Sequence, residues 1–254
     1  MTSVADDAPA AKSAGRELAE TLKTVAGGLA IALVLRVFLF EPFTIPSASM
    51  EPGLLTGDYV VTSKWDYGWS RNSIPFSPPL FHGRVLFHSP QRGDVVVFKL
   101  PRDESVTYVK RIIGLPGDRV QVKGGLVFVN DRPIVRTPAG EAEDPDQPGL
   151  IVQQARETRA DGHPYITFDQ GPGHDGDDTG VYVVPADRYF MMGDNRDNSL
   201  DSRWPKELGV GFVPAENIVG KARFVMLSWR EGASILKPWT WPKLRFDRAF
   251  RPVN

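Results

Sequence analysis

Tyr108-Val109-Lys110-Arg111-Ile112-Ile113-Gly114 is the stretch on which the fold turns. β-Branched and aromatic residues fill the run 106–113, and strand alternation sets Tyr108, Lys110 and Ile112 on one face with Arg111 on the other. One of two adjacent cations is thereby carried onto an apolar face. Runs of the same character recur at 59–62, 94–100, 119–122, 126–129, 181–184 and 218–227, each bounded by Gly, Pro, Asn or Asp. Gly57-Asp58-Tyr59-Val60, Gly93-Asp94-Val95-Val96 and Gly117-Asp118-Arg119-Val120 repeat one device, a turn pair that opens a strand. Three copies at uneven spacing do not make a solenoid. Lys123-Gly124-Gly125 and Asn130-Asp131 punctuate a hairpin meander. Helical periodicity is weak throughout, and the 24 Gly and 22 Pro fit many turns between short strands. The expectation is a mostly β, antiparallel structure.

Working outward, residues 24–40, TVAGGLAIALVLRVFLF, form an apolar segment whose only charge is Arg36, at the lower limit for a membrane-spanning helix. Arg36 lies near one end, within snorkelling reach of headgroups. Lys12, Arg16 and Lys23 precede the segment, and the next basic residue after Phe40 is Lys64. The positive-inside rule then makes 1–23 a cytoplasmic tail, 24–40 the anchor, and the remainder an exported part. Two other readings stay open: a signal peptide cleaved after the small residues Ser47-Ala48-Ser49, and a soluble core helix. The exported part divides into a first half of the core (41–136), an acidic insert (137–180), a second half (181–236) and a basic-aromatic tail (237–254). Between 141 and 178 there are ten acidic residues against two arginines, the pattern of a solvated subdomain or long loop. The tail, from Lys237-Pro238-Trp239 to Phe250-Arg251, fits either headgroup contact or ordinary packing.

Composition and spacing remove some function classes and weaken others. The formal net charge of −1, from 30 basic and 31 acidic residues, supplies no field for nucleic acid. Without cysteine there is no thiolate metal site, disulfide or cysteine nucleophile. A serine triad needs a histidine, and His82, His88, His163 and His174 all lie in poorly patterned stretches, with no Gly-x-Ser-x-Gly elbow; since triad members lie far apart in a chain the triad stays open, but nothing here supports it. His174 with Asp175, Asp177 and Asp178 lacks the regular spacing of a hard-cation loop. Asp197, Ser199 and Asp201 open like a calcium loop, but Ser202 and Leu208 stand where glycine and glutamate are required, so calcium is rejected.

A serine–lysine pair fits better. Ser49 lies in Ile45-Pro46-Ser47-Ala48-Ser49-Met50-Glu51-Pro52, about nine residues beyond the apolar segment, between prolines that stiffen the backbone. Burial of Lys110 disfavours its ammonium, and moving a lysine pKa from about 10.4 to near 7 corresponds to roughly 4–5 kcal/mol of differential desolvation. A neutral Lys110 is able to act as general base toward the Ser49 hydroxyl. Taken singly, a snorkelling lysine and a turn serine are the plainer readings. Asp194, Arg196, Asp201 and Arg203, with Ser199 among them, suggest an ion-pair network that stiffens a loop.

Order and combination then matter. The chain resembles bacterial type I signal peptidase, a membrane-bound serine protease, through 46–52 (PSASMEP), 108–118 (YVKRIIGLPGD) and 193–203 (GDNRDNSLDSR), with a weaker fourth match at 92–98 (RGDVVVF). The resemblance implies Ser49 as nucleophile and Lys110 as general base. It implies that the Ser47 hydroxyl and the Ser49 N–H form the oxyanion hole, that Ser199 orients the lysine amine, and that Asp201 supports Ser199 and Arg203. Asp194 and Arg196 would brace the loop. Phe43 and Ile45 would line shallow pockets for small side chains. The implied fold is a mostly antiparallel β core interrupted by a variable subdomain. No cofactor is implied, and the implied partners are signal peptides of exported preproteins and the lipid bilayer, with no nucleic acid. Better-known Gram-negative members have two membrane segments and some carry a disulfide; one segment and no cysteine are present here. A self-cleaving repressor, a tethered β binding module and an exported protein cut near Ser49 are the remaining alternatives.

Overall fold

The computed structural model describes residues 14–159, 161–230, 232–233 and 237–253. Residues 1–13, with Lys12 of the expected cytoplasmic tail, lie outside the described residues. In chain order the elements are helix α1 (Ala14–Phe38) and strands β1 (Phe40–Thr44), β2 (Asp58–Ser63), β3 (Trp69–Ser70), β4 (Arg84–Val85), β5 (Val95–Leu100) and β6 (Asp103–Gly114). Then follow β7 (Arg119–Lys123), β8 (Leu126–Val129), β9 (Arg132–Pro133), β10 (Arg136–Glu143), β11 (Ile151–Thr158) and β12 (Pro164–Asp169). The last are β13 (Tyr182–Val183), β14 (Arg188–Met192), β15 (Val213–Pro214), β16 (Ile218–Ser228) and β17 (Arg251–Pro252). The fold is mostly antiparallel β, as the strand-like runs require.

Eight strands form the main sheet in the order β1-β2-β16-β5-β6-β14-β15, with β17 on β16. β13, β7, β8 and β9 form a second sheet, β3 and β4 a short ribbon, and β10, β11 and β12 a third sheet. The acidic stretch is therefore built largely as a three-stranded sheet rather than a loop. Three turns start strands in one way. Gly57, Gly93 and Gly117 take φ of 89°, 91° and 86°, a region that favours glycine. The carboxylate of the following aspartate accepts from the backbone N–H three residues back: Leu55 for Asp58, Gln91 for Asp94 and Leu115 for Asp118.

β6 runs between two cores. Ile112 joins Val96, Phe98, Leu100, Met191 and Ile218, whereas Ile113 joins Val120, Val122, Val127, Phe190 and Met192. A strand covered on both faces buries residues of both parities. Lys110 and Arg111 are each 1% exposed, so the expectation that one cation of the two is buried understates what the fold does.

The helix differs from the sequence expectation at both ends. It begins by Ala14 rather than at 24 and stops at Phe38, because Phe40 pairs with Ser63 as the first residue of β1. Its 25 residues span about 37 Å at 1.5 Å per residue. Its apolar side chains, such as Leu29 at 66%, are exposed rather than packed on the β structure.

Candidate active site

β1 is an edge strand, paired only with β2. It leads through Pro46 and Ser47 into a single 3-10 turn, Ala48–Met50. Ala48 and Met50 are buried, and Met50 packs with Ile45, Leu54, Val60 and Val95, which fixes the turn and leaves Ser49 half-buried between them. The Ser47 hydroxyl is exposed, 3.4 Å from Ser49 Oγ. Phe43, Ile45, Ser47, Ser49 and Lys110 all line one open cleft of about 470 Å³, walled on one side by β1 and on the other by 106–110 of β6. The curled main sheet thus brings its β1 edge opposite β6.

Lys110 Nζ is hydrogen-bonded to Ser49 Oγ across 61 residues of chain. No carboxylate forms an ion pair with the amine among the described residues, and the ring of Tyr108 lies 5.6 Å from it. Burial lowers its pKa to about 8, helped by Arg203 and opposed by Asp201 and Asp194. That is less than the shift to near 7 expected from the sequence, because the two carboxylates keep part of the ammonium's stabilisation.

Residues 193–203 complete the site. Asn195 N–H donates to Ser49 O (3.2 Å), tying this loop to the serine. A Cβ on Gly193 would stand 2.3 Å from Ser199 Oγ and 2.4 Å from Ser49 O, so only glycine permits this approach. Asp201 accepts from Arg203 Nε (2.9 Å) and Gly193 N–H (3.0 Å). Burial works to raise its carboxyl, but Arg203 and those N–H groups outweigh burial and hold it below the usual carboxylate range.

The ion pairs differ from the network expected within the loop. Only Asp201–Arg203 closes locally. Asp194 pairs bidentately with Arg111 (2.7 and 2.6 Å), and Arg196 with Glu157 of β11 (2.5 and 2.6 Å). Ser199 also departs from its expected contact: its buried Oγ has no hydrogen-bond partner among the described residues, and the amine turns to Ser49 instead. None of the four histidines bonds to Ser49.

A family model described as "Signal peptidase, peptidase S26" matches residues 18–229. The chain belongs to this signal peptidase family. It is 41% identical over 242 residues to a signal peptidase I of Rickettsia typhi, covering 88% of this chain and 89% of that one. It is 39% identical over 252 residues to a signal peptidase I of Rickettsia canadensis, covering 92% of each. A crystal structure of a signal peptidase I from Enterococcus faecalis is similar with a TM-score of 0.31 at 24% identity, over 53% of this chain and 97% of that one. The protein is thus a serine peptidase of the signal peptidase family.

Within this signal peptidase, several residues at the site had no signal as members of it. The guanidinium of Arg111 stacks 3.8 Å from the ring centre of Tyr165, whose hydroxyl donates to Glu157 (2.6 Å). Phe168 N–H donates to Asp194 O (2.9 Å), and Arg196 N–H to Phe168 O (2.8 Å). The β10-β11-β12 sheet therefore buttresses the loop from outside through Glu157, Tyr165 and Phe168. Only Arg111 was detectable in the sequence, as the neighbour of Lys110; the other three lie in the acidic stretch, where nothing in the local pattern distinguishes them.

Proposed function

We propose that this chain is a membrane-anchored endopeptidase that removes signal peptides from exported preproteins, with Ser49 as nucleophile and Lys110 as general base. The observation that carries the reading is the hydrogen bond between Lys110 Nζ and Ser49 Oγ in an open cleft, made by an amine whose pKa is lowered to about 8. As Ser49 Oγ attacks the scissile carbonyl, its proton passes to Lys110. The Ser49 N–H and the Ser47 hydroxyl stabilise the oxyanion, and the lysine ammonium returns the proton to the leaving amine. Water, deprotonated by the same amine, then releases the acyl group from Ser49. No cofactor enters the sequence of steps.

Acylation ties up Ser49 Oγ, so Lys110 must be held by something else for deacylation. Ser199 Oγ, buried and unpartnered beside Gly193, supports its role as that second partner. Asp201 fixes Gly193 and Arg203 around it, while Asp194 and Arg196 hold the loop through Arg111 and Glu157.

The substrate adds as an extended strand along the free edge of β1, opposite 106–110. Phe43 and Ile45 shape the floor, and the shallow space above them admits small side chains, as in Ala-x-Ala sites. The exposed apolar length of α1 fits a bilayer span, with the N-terminus cytoplasmic and the catalytic unit on the extracytoplasmic side of a bacterial inner membrane. Arg36, at its far end, pairs with Glu41 (3.2 Å). That position sets Ser49 close to the surface where a membrane-bound substrate emerges.

The test is cleavage of a preprotein whose signal ends in Ala-x-Ala, by detergent-solubilised wild type beside Ser49→Ala and Lys110→Met, with the cut bond located by mass spectrometry. Wild-type cleavage at that bond, absent from both folded variants, is expected. Cleavage that survives Ser49→Ala removes the proposed nucleophile.

A further inference from the structure

A single residue, Leu39, separates α1 from β1. A helix leaves its last four carbonyls without partners inside itself, and here each of the four is taken. Leu39 N–H donates to Leu35 O (2.8 Å). Lys64 Nζ donates to Arg36 O (2.7 Å) and, at 3.5 Å, to Val37 O. Trp69 Nε1 donates to Phe38 O (3.1 Å). Two side chains of the catalytic unit therefore cap three of the four carbonyls, at the end where the helix dipole is negative.

Lys64 is the centre of this joint. Its side chain is 0% exposed, and its Nζ also pairs with Glu41 of β1 (3.0 Å). Glu41 in turn pairs with Arg36 on the last turn of α1 (3.2 Å), and the Lys64 N–H donates to Leu39 O (3.0 Å). Burial lowers the pKa of Lys64, and the Glu41 carboxylate in contact opposes that. A lysine kept for surface charge carries its amine out to water. This one directs its donors to two helix carbonyls and one strand carboxylate.

Beyond the joint the chain runs straight into the catalytic cleft. Arg36 and Glu41 line the same cleft as Phe43, Ser49 and Lys110. β1 is paired on β2 along its whole length, from Phe40↔Ser63 to Thr44↔Tyr59. The end of α1 and the wall of the cleft are thus one piece of structure, with Lys64 locking the only residue at which they could hinge.

We infer that Lys64 is a positioning residue that fixes the height of the cleft relative to α1, and so sets how many residues separate the apolar core of a signal peptide from the bond that is cut. This rests on the reading that α1 spans a bilayer and that β1 receives the substrate. One extended residue adds about 3.3 Å, so a joint that gives by that distance shifts the register of the substrate by one residue. A lysine that only capped the helix would affect stability and leave the choice of substrate length alone.

The test uses the full chain in phosphatidylcholine–phosphatidylglycerol vesicles with embedded preproteins that differ only in the number of residues between the apolar core and an Ala-x-Ala site. Wild type should favour one length, with cleavage several-fold slower on either side of it. Lys64→Met should flatten that profile while kcat/KM on a short soluble Ala-x-Ala peptide stays unchanged. Nitroxide pairs at Leu29→Cys and Val183→Cys, both exposed and in a chain without cysteine, should give a narrow distance distribution that broadens in Lys64→Met. Trp69→Phe removes one cap and keeps the lysine; it should flatten the profile in part, and it carries the test where Lys64→Met fails to fold. An unchanged length profile makes the lysine a cap alone and overturns the inference. Equal loss on embedded preprotein and soluble peptide, or equal widths of the two distance distributions, does the same. So does a wild type that cuts at Ala-x-Ala without preference for length. Absence of any cutting by folded wild type removes instead the proposed function on which the inference rests.

Discussion

Lys110 and Arg111 are neighbours on one strand, equally buried, and opposite in electrical circumstance. Arg111 is locked to Asp194 by two short hydrogen bonds and stacked on Tyr165; Lys110 has a serine hydroxyl and, among the described residues, no carboxylate at contact distance. Burial alone lowers the pKa of both cations, yet the paired guanidinium ends above its ordinary value and the amine well below. A charge that must persist is given a counter-ion at contact distance. A group that must give up its proton is denied one, and the nearby Asp201 is occupied by Arg203 instead. Fixed charges on one face of β6 therefore hold the loop that surrounds an amine of lowered pKa on the other.

The comparison is broken most severely by exchanging the chemistry. Ser49→Ala or Lys110→Met should reduce kcat/KM by at least about 10⁴-fold, and the double variant little further, because the two act as one unit. Single-turnover assays of all three check this. Arg111→Met should act on stability instead. It leaves Asp194 buried and unpaired, an effect of about 3–5 kcal/mol, and Glu157→Gln should follow it through Arg196 with a smaller loss. Thermal melts of the full chain in detergent separate these variants from the dyad pair. A dyad-like loss of kcat with an unchanged melt in Arg111→Met would merge the two roles.

Lys110→Met should move stability the other way. The folded pKa of Lys110, about 8, lies below the ordinary value of 10.5. The folded state therefore resists protonation, the penalty is fully present below pH 8, and it fades as pH rises to 10.5. The shift corresponds to roughly 3 kcal/mol at neutral pH. Lys110→Met should thus melt higher than wild type at pH 7 and lose the wild-type gain in stability between pH 8 and 10.5. Equal melting across that range would mean that the amine is not desolvated.

How much of this was legible depends on how local the cause was. The three Gly-Asp turns could be read directly, since φ and the aspartate's return bond are decided within four residues. The alternation of 106–113 placed Lys110 on an apolar face. It could not show that Arg111's face is buried too, because that depends on Ile113 packing under β7 and β8, formed later in the chain. β1 was hidden at the end of an apolar run and became a strand only by pairing with β2. The pairing of Arg196 with Glu157 spans 39 residues, and nothing near either charge favours that partner over Asp194 or Asp201.

The subtlest way to sharpen the comparison is to change the electrical surroundings of Lys110 and leave the amine in place. Because only the neutral amine accepts the serine proton, kcat/KM should rise tenfold per pH unit on the acid side and level off near pH 8. Asp201→Asn removes a carboxylate that raises the Lys110 pKa and leaves Arg203, which lowers it, uncompensated. Both changes push the amine down, so the acid limb should move to lower pH. Glu51 needs separating from this, since burial together with Asp146 and Asp144 raises its carboxyl to about 8 as well. Glu51→Gln should keep the limb where it is, whereas a limb that vanishes in that variant would assign the titration to the carboxyl. A limb that moves in Asp201→Asn and stays in Glu51→Gln ties the pH profile to the one buried cation that the loop leaves without a counter-ion.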